Sequence, residues 1–216
     1  MHIGIIGAGR IGGNVARLLA LAGHDITVSF ARDQARLAAF AAEIGASAGE
    51  PSRAAAAEVV VLSVPWTVID AALAAAGPLR GRIVVDTTNQ FGAGGVLDLG
   101  HTAARHNADR MPGARYTKCF NTLTAGFQAQ AAGRTGDARV VQWICGDDAD
   151  AKTILRQLVD DAGYVPADLG GIDDCAAMEP PRRPGAMYGE EYRAGDAAAV
   201  LEAVQSGRPI PPTPRY

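Results

Sequence analysis

A compact Rossmann-type α/β fold, a parallel sheet with helices on both faces and a small C-terminal extension, is predicted by two features of this 216-residue chain. Short Val/Ile runs with no polar alternation recur between segments of helical periodicity, and uninterrupted apolar strands are those covered on both faces. The first such run is joined to its helix by Gly7-Ala8-Gly9-Arg10-Ile11-Gly12, a tight glycine turn between strand and helix.

The elements follow in order. His2 to Ile6 reads as a buried strand, and Val15, Leu18 and Leu19 mark the helix after the turn. Gly23-His24 closes that helix, Ile26 to Phe30 forms a second strand, and Asp33 can cap a helix reaching about Ile44. A short helix over Pro51 to Ala57 feeds a strand at Val59 to Leu62, which ends in Ser63-Val64-Pro65-Trp66. Another helix spans about Val68 to Ala76, and Ile83 to Val85 forms a strand closing at Asp86-Thr87-Thr88-Asn89. Phe91 to Gly95 reads as a glycine-rich loop and Leu97 to Asn107 as a helix. Arg115 to Phe120 and Val140 to Cys145 give two more strands, Ala149 to Ala162 a helix, and Tyr164 to Ala167 an edge strand. Residues 1–170 form the nucleotide-binding domain, and 171–216 an extension that closes the cleft, with a break at Pro180-Pro181-Arg182-Arg183-Pro184-Gly185, a helical flap at about Tyr188 to Val204 and a Pro-rich tail.

Charge and cysteine content narrow the function classes. The 20 Lys+Arg residues against 23 Asp+Glu leave a formal charge of -3, with the arginines scattered, so no polycationic stripe suited to nucleic acid is expected. Cys119, Cys145 and Cys175 lack metal-ligand spacing and read as reduced core thiols of a cytoplasmic protein. No apolar stretch is long enough to span a bilayer, and no basic segment precedes the first strand, so neither a membrane nor export is expected. His101 and His106, with five-residue helical spacing, do not share one face, and no metal site is expected.

Gly7 permits the turn, Gly9 close approach of backbone to a pyrophosphate, and Gly12 close helix packing, with the helix amides facing the negative charge. Ala8, Arg10 and Ile11 complete the fingerprint. At the end of the second strand an acidic residue would hold the 2'-hydroxyl of NAD; Ala31-Arg32 stands there instead, and Arg32 can pair with the 2'-phosphate of NADP. Asp33 is the contrary signal unless it caps a helix, and Arg10 and Arg36 can add phosphate contacts or be surface charges. Ser63, Val64 and Pro65 pass beside ribose and pyrophosphate; Trp66 either roofs the cofactor or starts a helix against the core. Asn89 and Asn121 can orient a carboxamide or a heteroaromatic edge. Lys118 can reach an anionic group or pair with Asp86, while Cys119 points to the opposite face and Asp86 braces the Thr87-Thr88-Asn89 turn.

Over about residues 1 to 170 the chain resembles the coenzyme F420-dependent NADP oxidoreductase family, through the glycine turn, Ala31-Arg32, Val64-Pro65-Trp66, Asp86-Thr87-Thr88-Asn89 and Lys118-Cys119-Phe120-Asn121-Thr122. The resemblance implies hydride transfer between NADPH and the deazaflavin F420, with the nicotinamide near Phe120 and Asn121 and with Pro65, Trp66 and Asn89 around the cleft. Gln90 replaces the proline usual after the "TN" pair, and Ala31 the serine usual before the arginine.

Hydride transfer between stacked rings needs positioning rather than a protein nucleophile, so no catalytic residue is required, with Asn121 and Lys118 as assisting groups. The rival readings are an NADPH-dependent reductase of a flavin, imine or ketone, in which Lys118, Tyr188 and Tyr192 would be the proton-donor candidates of a C=N or C=O reaction, and a non-catalytic NADP sensor or subunit. A homodimer is expected, because a second subunit can cover a shallow cleft.

Overall fold

The computed structural model describes residues 1–216. Ten strands and eight helices follow in chain order: β1 His2–Ile6, α1 Arg10–Leu21, β2 Asp25–Ser29, α2 Gln34–Glu43, β3 Ser47–Ala48, α3 Pro51–Ala55, β4 Val59–Leu62, α4 Ile69–Ala76, β5 Ile83–Asp86, β6 Phe91–Gly92, β7 Gly95–Val96, α5 Ala103–Arg110, β8 Arg115–Lys118, α6 Ala125–Ala131, β9 Val141–Gly146, α7 Ala149–Asp161, β10 Val165–Gly170 and α8 Ala197–Gln205. Eight strands form one sheet in the order β10-β9-β8-β5-β4-β1-β2-β3.

Alternating side chains fill a core on each face of the sheet, as strand geometry requires. Ile6, Val60, Leu62, Val84, Tyr116 and Trp143 pack on one face. Ile3, Ile5, Val59, Val61, Val85 and Ile144 pack on the other. The extension is built into the first core, to which Ile172, Cys175, Met178, Met187, Tyr192 and Val200 contribute.

Most pairings are parallel, but β8 and β9 are antiparallel, so the sheet is mixed rather than wholly parallel. The connector after β8 contains only the short helix α6, and β9 starts from the edge at which β8 ends. Other sequence expectations also shift. The predicted loop at Phe91 to Gly95 is a small antiparallel hairpin, Phe91 pairing with Val96. The predicted helix over 97–107 begins only at Ala103, where the Thr102 side chain accepts from the Arg105 amide. The flap is helical only from Ala194: upstream, Tyr192 O accepts from Val141 N and Arg193 bridges Val140, so Tyr192-Arg193 extends the sheet edge.

Parallel register lines up the carboxyl ends of five strands. Ser29, Ile6, Leu62, Asp86 and Lys118 form one row across β2, β1, β4, β5 and β8. The order reverses between β1 and β4, which opens a crevice outside this row.

Candidate functional site

At the crevice, each glycine of the first turn has its own geometric reason. Gly7 has φ +98°, and a Cβ there would meet Ser63 O at 2.4 Å; a Cβ on Gly12 would meet Gly7 O at 2.1 Å. These contacts hold α1 against the β1 and β4 ends. Gly9 differs, because a Cβ would meet nothing within 4 Å, leaving room over its backbone. Helix α1 follows its N-cap Gly9 with no side-chain cap and no acidic residue in its first turn, so the residues fit a pyrophosphate over its free amides.

Ala31 and Arg32 follow Phe30, which adopts φ +57° just past β2. Arg10, Arg32 and Arg36 are exposed. Ion pairs of the fold engage other arginines, such as Arg17, Arg115 and Arg139, and leave these three free. Asp33 accepts from Arg36 N at 2.9 Å as the N-cap of α2, so its carboxylate is occupied by the helix. The free positive charge at this strand end matches the 2'-phosphate of NADP better than a ribose hydroxyl.

Across the crevice, Thr87 Oγ1 lies 2.9 Å from Ser63 Oγ, tying the β4 and β5 ends together. Val64 is buried, Pro65 exposed, and Trp66 only 7% exposed. The Trp66 ring lies 5.0 Å from the Arg110 guanidinium and 5.6 Å from the His106 ring. Trp66 therefore starts a 3₁₀ turn and packs into the core, which describes it better than a cofactor roof.

The β5 and β8 ends are joined by an amide pair. Asn89 Nδ2 donates to Asn121 O at 2.8 Å, and Asn121 Nδ2 donates to Asn89 Oδ1 at 3.0 Å and to Met178 O at 2.7 Å. Asn121 Oδ1, Thr122 Oγ1 and Gln90 Oε1 are buried with no partner. Buried acceptors without partners are rare, and those of Asn121 and Thr122 just past the β8 end offer positions for donors such as a carboxamide amino group. Phe120 takes φ +57°, turning the chain at the β8 end as Phe30 does at β2. Thr122 O accepts from Gly189 N at 2.8 Å, and a groove between this end and the extension is lined by Leu123, Thr124, Phe127 and Glu190.

Behind the amide pair lies a sealed ionic cluster. Lys118 and Asp86 are fully buried, with Lys118 Nζ 3.5 Å from Asp86 and 3.7 Å from Glu179. Lys118 donates to Thr88 O at 2.6 Å, and Asp86 accepts from Thr88 N, Asn107 Nδ2 and the Tyr116 hydroxyl. Glu179 accepts from the Ala103 and Ala104 amides at 2.8 Å each, capping α5 from the extension. Burial works against the Lys118 ammonium, but Asp86 and Glu179 outweigh it and hold its pKa above the usual value. Burial, then the Asp86 charge, pushes the Tyr116 phenol well up. Tyr116, Asn107 and Glu179 escaped sequence reasoning; a Glu just before Pro180-Pro181 carries no local sign of its partners.

Of the proton-donor candidates, Lys118 is sealed and Tyr192, 2% exposed, donates to Pro211 O at 2.8 Å. Tyr188 is half-buried, its ring 6.4 Å from Phe91, with burial raising its pKa. His101 precedes α5, so helical spacing does not separate it from His106, and their rings stack at 5.4 Å.

Residues 2–90 match the model of the family described as NADP oxidoreductase, coenzyme F420-dependent. A curated relative, metalloreductase STEAP3 of Rattus norvegicus, is 25% identical over 177 residues, covering 82% of this chain and 35% of that protein. The chain thus spans about a third of the length of the curated relative it matches. A hypothetical protein of Sinorhizobium meliloti superposes with a TM-score of 0.79 at 27% identity, covering 89% of this chain and 95% of that one. A protein of Arthrobacter sp. assigned as an F420-dependent NADP-reductase superposes with a TM-score of 0.68 at 28% identity, covering 79% and 84%. An imine reductase of a Pseudomonas species, at 20% identity and a TM-score of 0.60 over 79% and 55%, shares the fold. No helix is long and apolar enough to cross a membrane.

Proposed function

We infer, from the match of residues 2–90 to the model of the coenzyme F420-dependent NADP oxidoreductase family, that this protein is an NADPH-dependent oxidoreductase whose acceptor is a planar ring system of the deazaflavin or flavin class. NADPH supplies the hydride when bound. The glycine turn and the α1 amides hold its pyrophosphate, Arg32 with Arg36 holds the 2'-phosphate, and Asn89 and Asn121 fix the carboxamide edge near Phe120. Residues 1–170 serve as the nucleotide-binding part and 171–216 as the wall of the acceptor side.

The observation that carries the acceptor class is the state of the proton donors. Reducing a C=N or C=O bond asks for an acid at the reacting atom, whereas a deazaflavin or flavin takes its proton on a ring nitrogen within reach of solvent. Lys118 is locked between Asp86 and Glu179, and Tyr192 is hydrogen-bonded to the tail. One observation favours a second reading, reduction of a small imine or ketone: Tyr188 stands half-buried beside Phe91 and could donate.

Following NADPH oxidation with F420, FMN, FAD, a cyclic imine or no acceptor separates the readings. Turnover with F420 or a flavin and none with the imine is expected. Imine turnover abolished by Tyr188→Phe, with no ring-acceptor turnover, would replace the first reading by the second.

A further inference from the structure

Gln90 stands where the resembling family carries proline, and neither the cradle nor the amide pair uses its side chain. The residue is 7% exposed, and its Oε1 is buried without a partner. Its backbone is pinned on both sides: Gln90 O accepts from Leu97 N at 2.8 Å, and Phe91 N donates to Asn89 O at 2.8 Å. Gln90 therefore links the amide clamp at Asn89 directly to the β6–β7 hairpin, and that hairpin packs against the turn starting at Trp66.

The hairpin is apolar where a surface hairpin would ordinarily be polar. Phe91 is 44% exposed, Val96 37% and Leu97 39%, and Tyr188 from the extension faces Phe91. An exposed aromatic and aliphatic platform beside a crevice suits the face of a flat ring. A primary amide at its root suits a ring edge that alternates acceptor, donor and acceptor, because Oε1 can take the N–H while Nε2 gives to a neighbouring carbonyl.

We propose that Gln90 is a specificity-determining residue that reads the imide edge of the acceptor's pyrimidinedione ring, its Oε1 accepting from the ring N3–H. This deepens the acceptor class given above and rests on it. Deazaflavins and flavins share that edge, so the proposal covers both, and it separates them from imines, ketones and quinones, which lack it. It also accounts for an orphaned buried acceptor, which without a ligand donor costs stability and does nothing.

The test is binding of paired probes to the NADP⁺-loaded protein, read by fluorescence quenching: lumiflavin against 3-methyllumiflavin, repeated with 5-deazalumiflavin and its N3-methyl derivative. The wild-type protein should prefer each unmethylated ring by about tenfold, the scale of one hydrogen bond into a buried site. Gln90→Met, close in size and lacking the amide, should bind both members of a pair alike while its NADPH affinity and Tm stay unchanged or rise. Equal affinity of the wild type for both members, with flavin turnover intact, overturns the role of Gln90 and leaves the acceptor class standing. Failure to bind or reduce any of these rings overturns the acceptor class and the role of Gln90 together.

Discussion

Two polar regions meet at the carboxyl edge of the sheet and are built in opposite ways. The nucleotide cradle leaves its groups unspent: the α1 amides have no cap, Gly9 faces open space, and Arg10, Arg32 and Arg36 are free of ion pairs. Farther along the same row of strand ends, Asp86 and Lys118, with Glu179 from the extension, are sealed from solvent and bound to Thr88, Asn107, Tyr116 and the α5 amides. The first region is made to receive charge, the second to hold the receiver still. A ligand can therefore be selected at the open end while the strand-end amides keep one geometry.

The sharpest way to break this contrast is Lys118→Met, which keeps the volume and leaves two buried carboxylates facing each other. It should cost about 3–5 kcal/mol of folding stability, measured by urea denaturation, because a broken buried pair leaves charge uncompensated. A loss below about 1 kcal/mol would mean that the cluster relaxes to water and is not the rigid backing described.

The open region should fail differently. Arg32→Ala is expected to weaken NADPH binding by about 1.5–3 kcal/mol, the scale of a lost charge-assisted hydrogen bond, with NADH binding and Tm little changed. Equal losses for both nucleotides in calorimetric titrations would remove Arg32 from the 2'-phosphate.

A smaller effect marks the surface between these extremes. Arg115 hydrogen-bonds Asp148 at 2.6 and 2.7 Å, and that contact holds the Asp148 carboxyl well below its usual range while the same side chain caps α7. The folded carboxylate thus stays ionised as the unfolded one protonates near pH 4, so this contribution is present above about pH 4 and is lost as pH falls further. With both side chains about a third exposed, Asp148→Asn should lower stability by about 0.5–1 kcal/mol at pH 7, and the difference should shrink by pH 3. A difference that does not change with pH would show that the cap alone matters.

The contrast also explains what the sequence could reveal. The cradle is local: turn, glycines and Arg32 lie within one βαβ unit, and Asp33 acts as the helix cap that its position suggested. The strand-end motifs were legible for the same reason, since each directly follows an apolar run. The sealed cluster depends on distant partners, with Glu179 reaching Ala103 and Lys118 from the far end of the chain, and periodicity carries no record of such pairings. The reversed β9 was hidden likewise, because an apolar strand reads alike in either direction. Helix α6 is only seven residues long and was missed beside it.

That reversal has a mechanical consequence. With β9 starting at the ligand edge, the extension is stitched to the sheet by Val141 N to Tyr192 O and the Val140–Arg193 bridge, and to the β8 end by Gly189 N to Thr122 O. The extension has no free hinge at these points. To swing outward it must unzip backbone hydrogen bonds, so its opening belongs with local unfolding rather than with nanosecond loop motion.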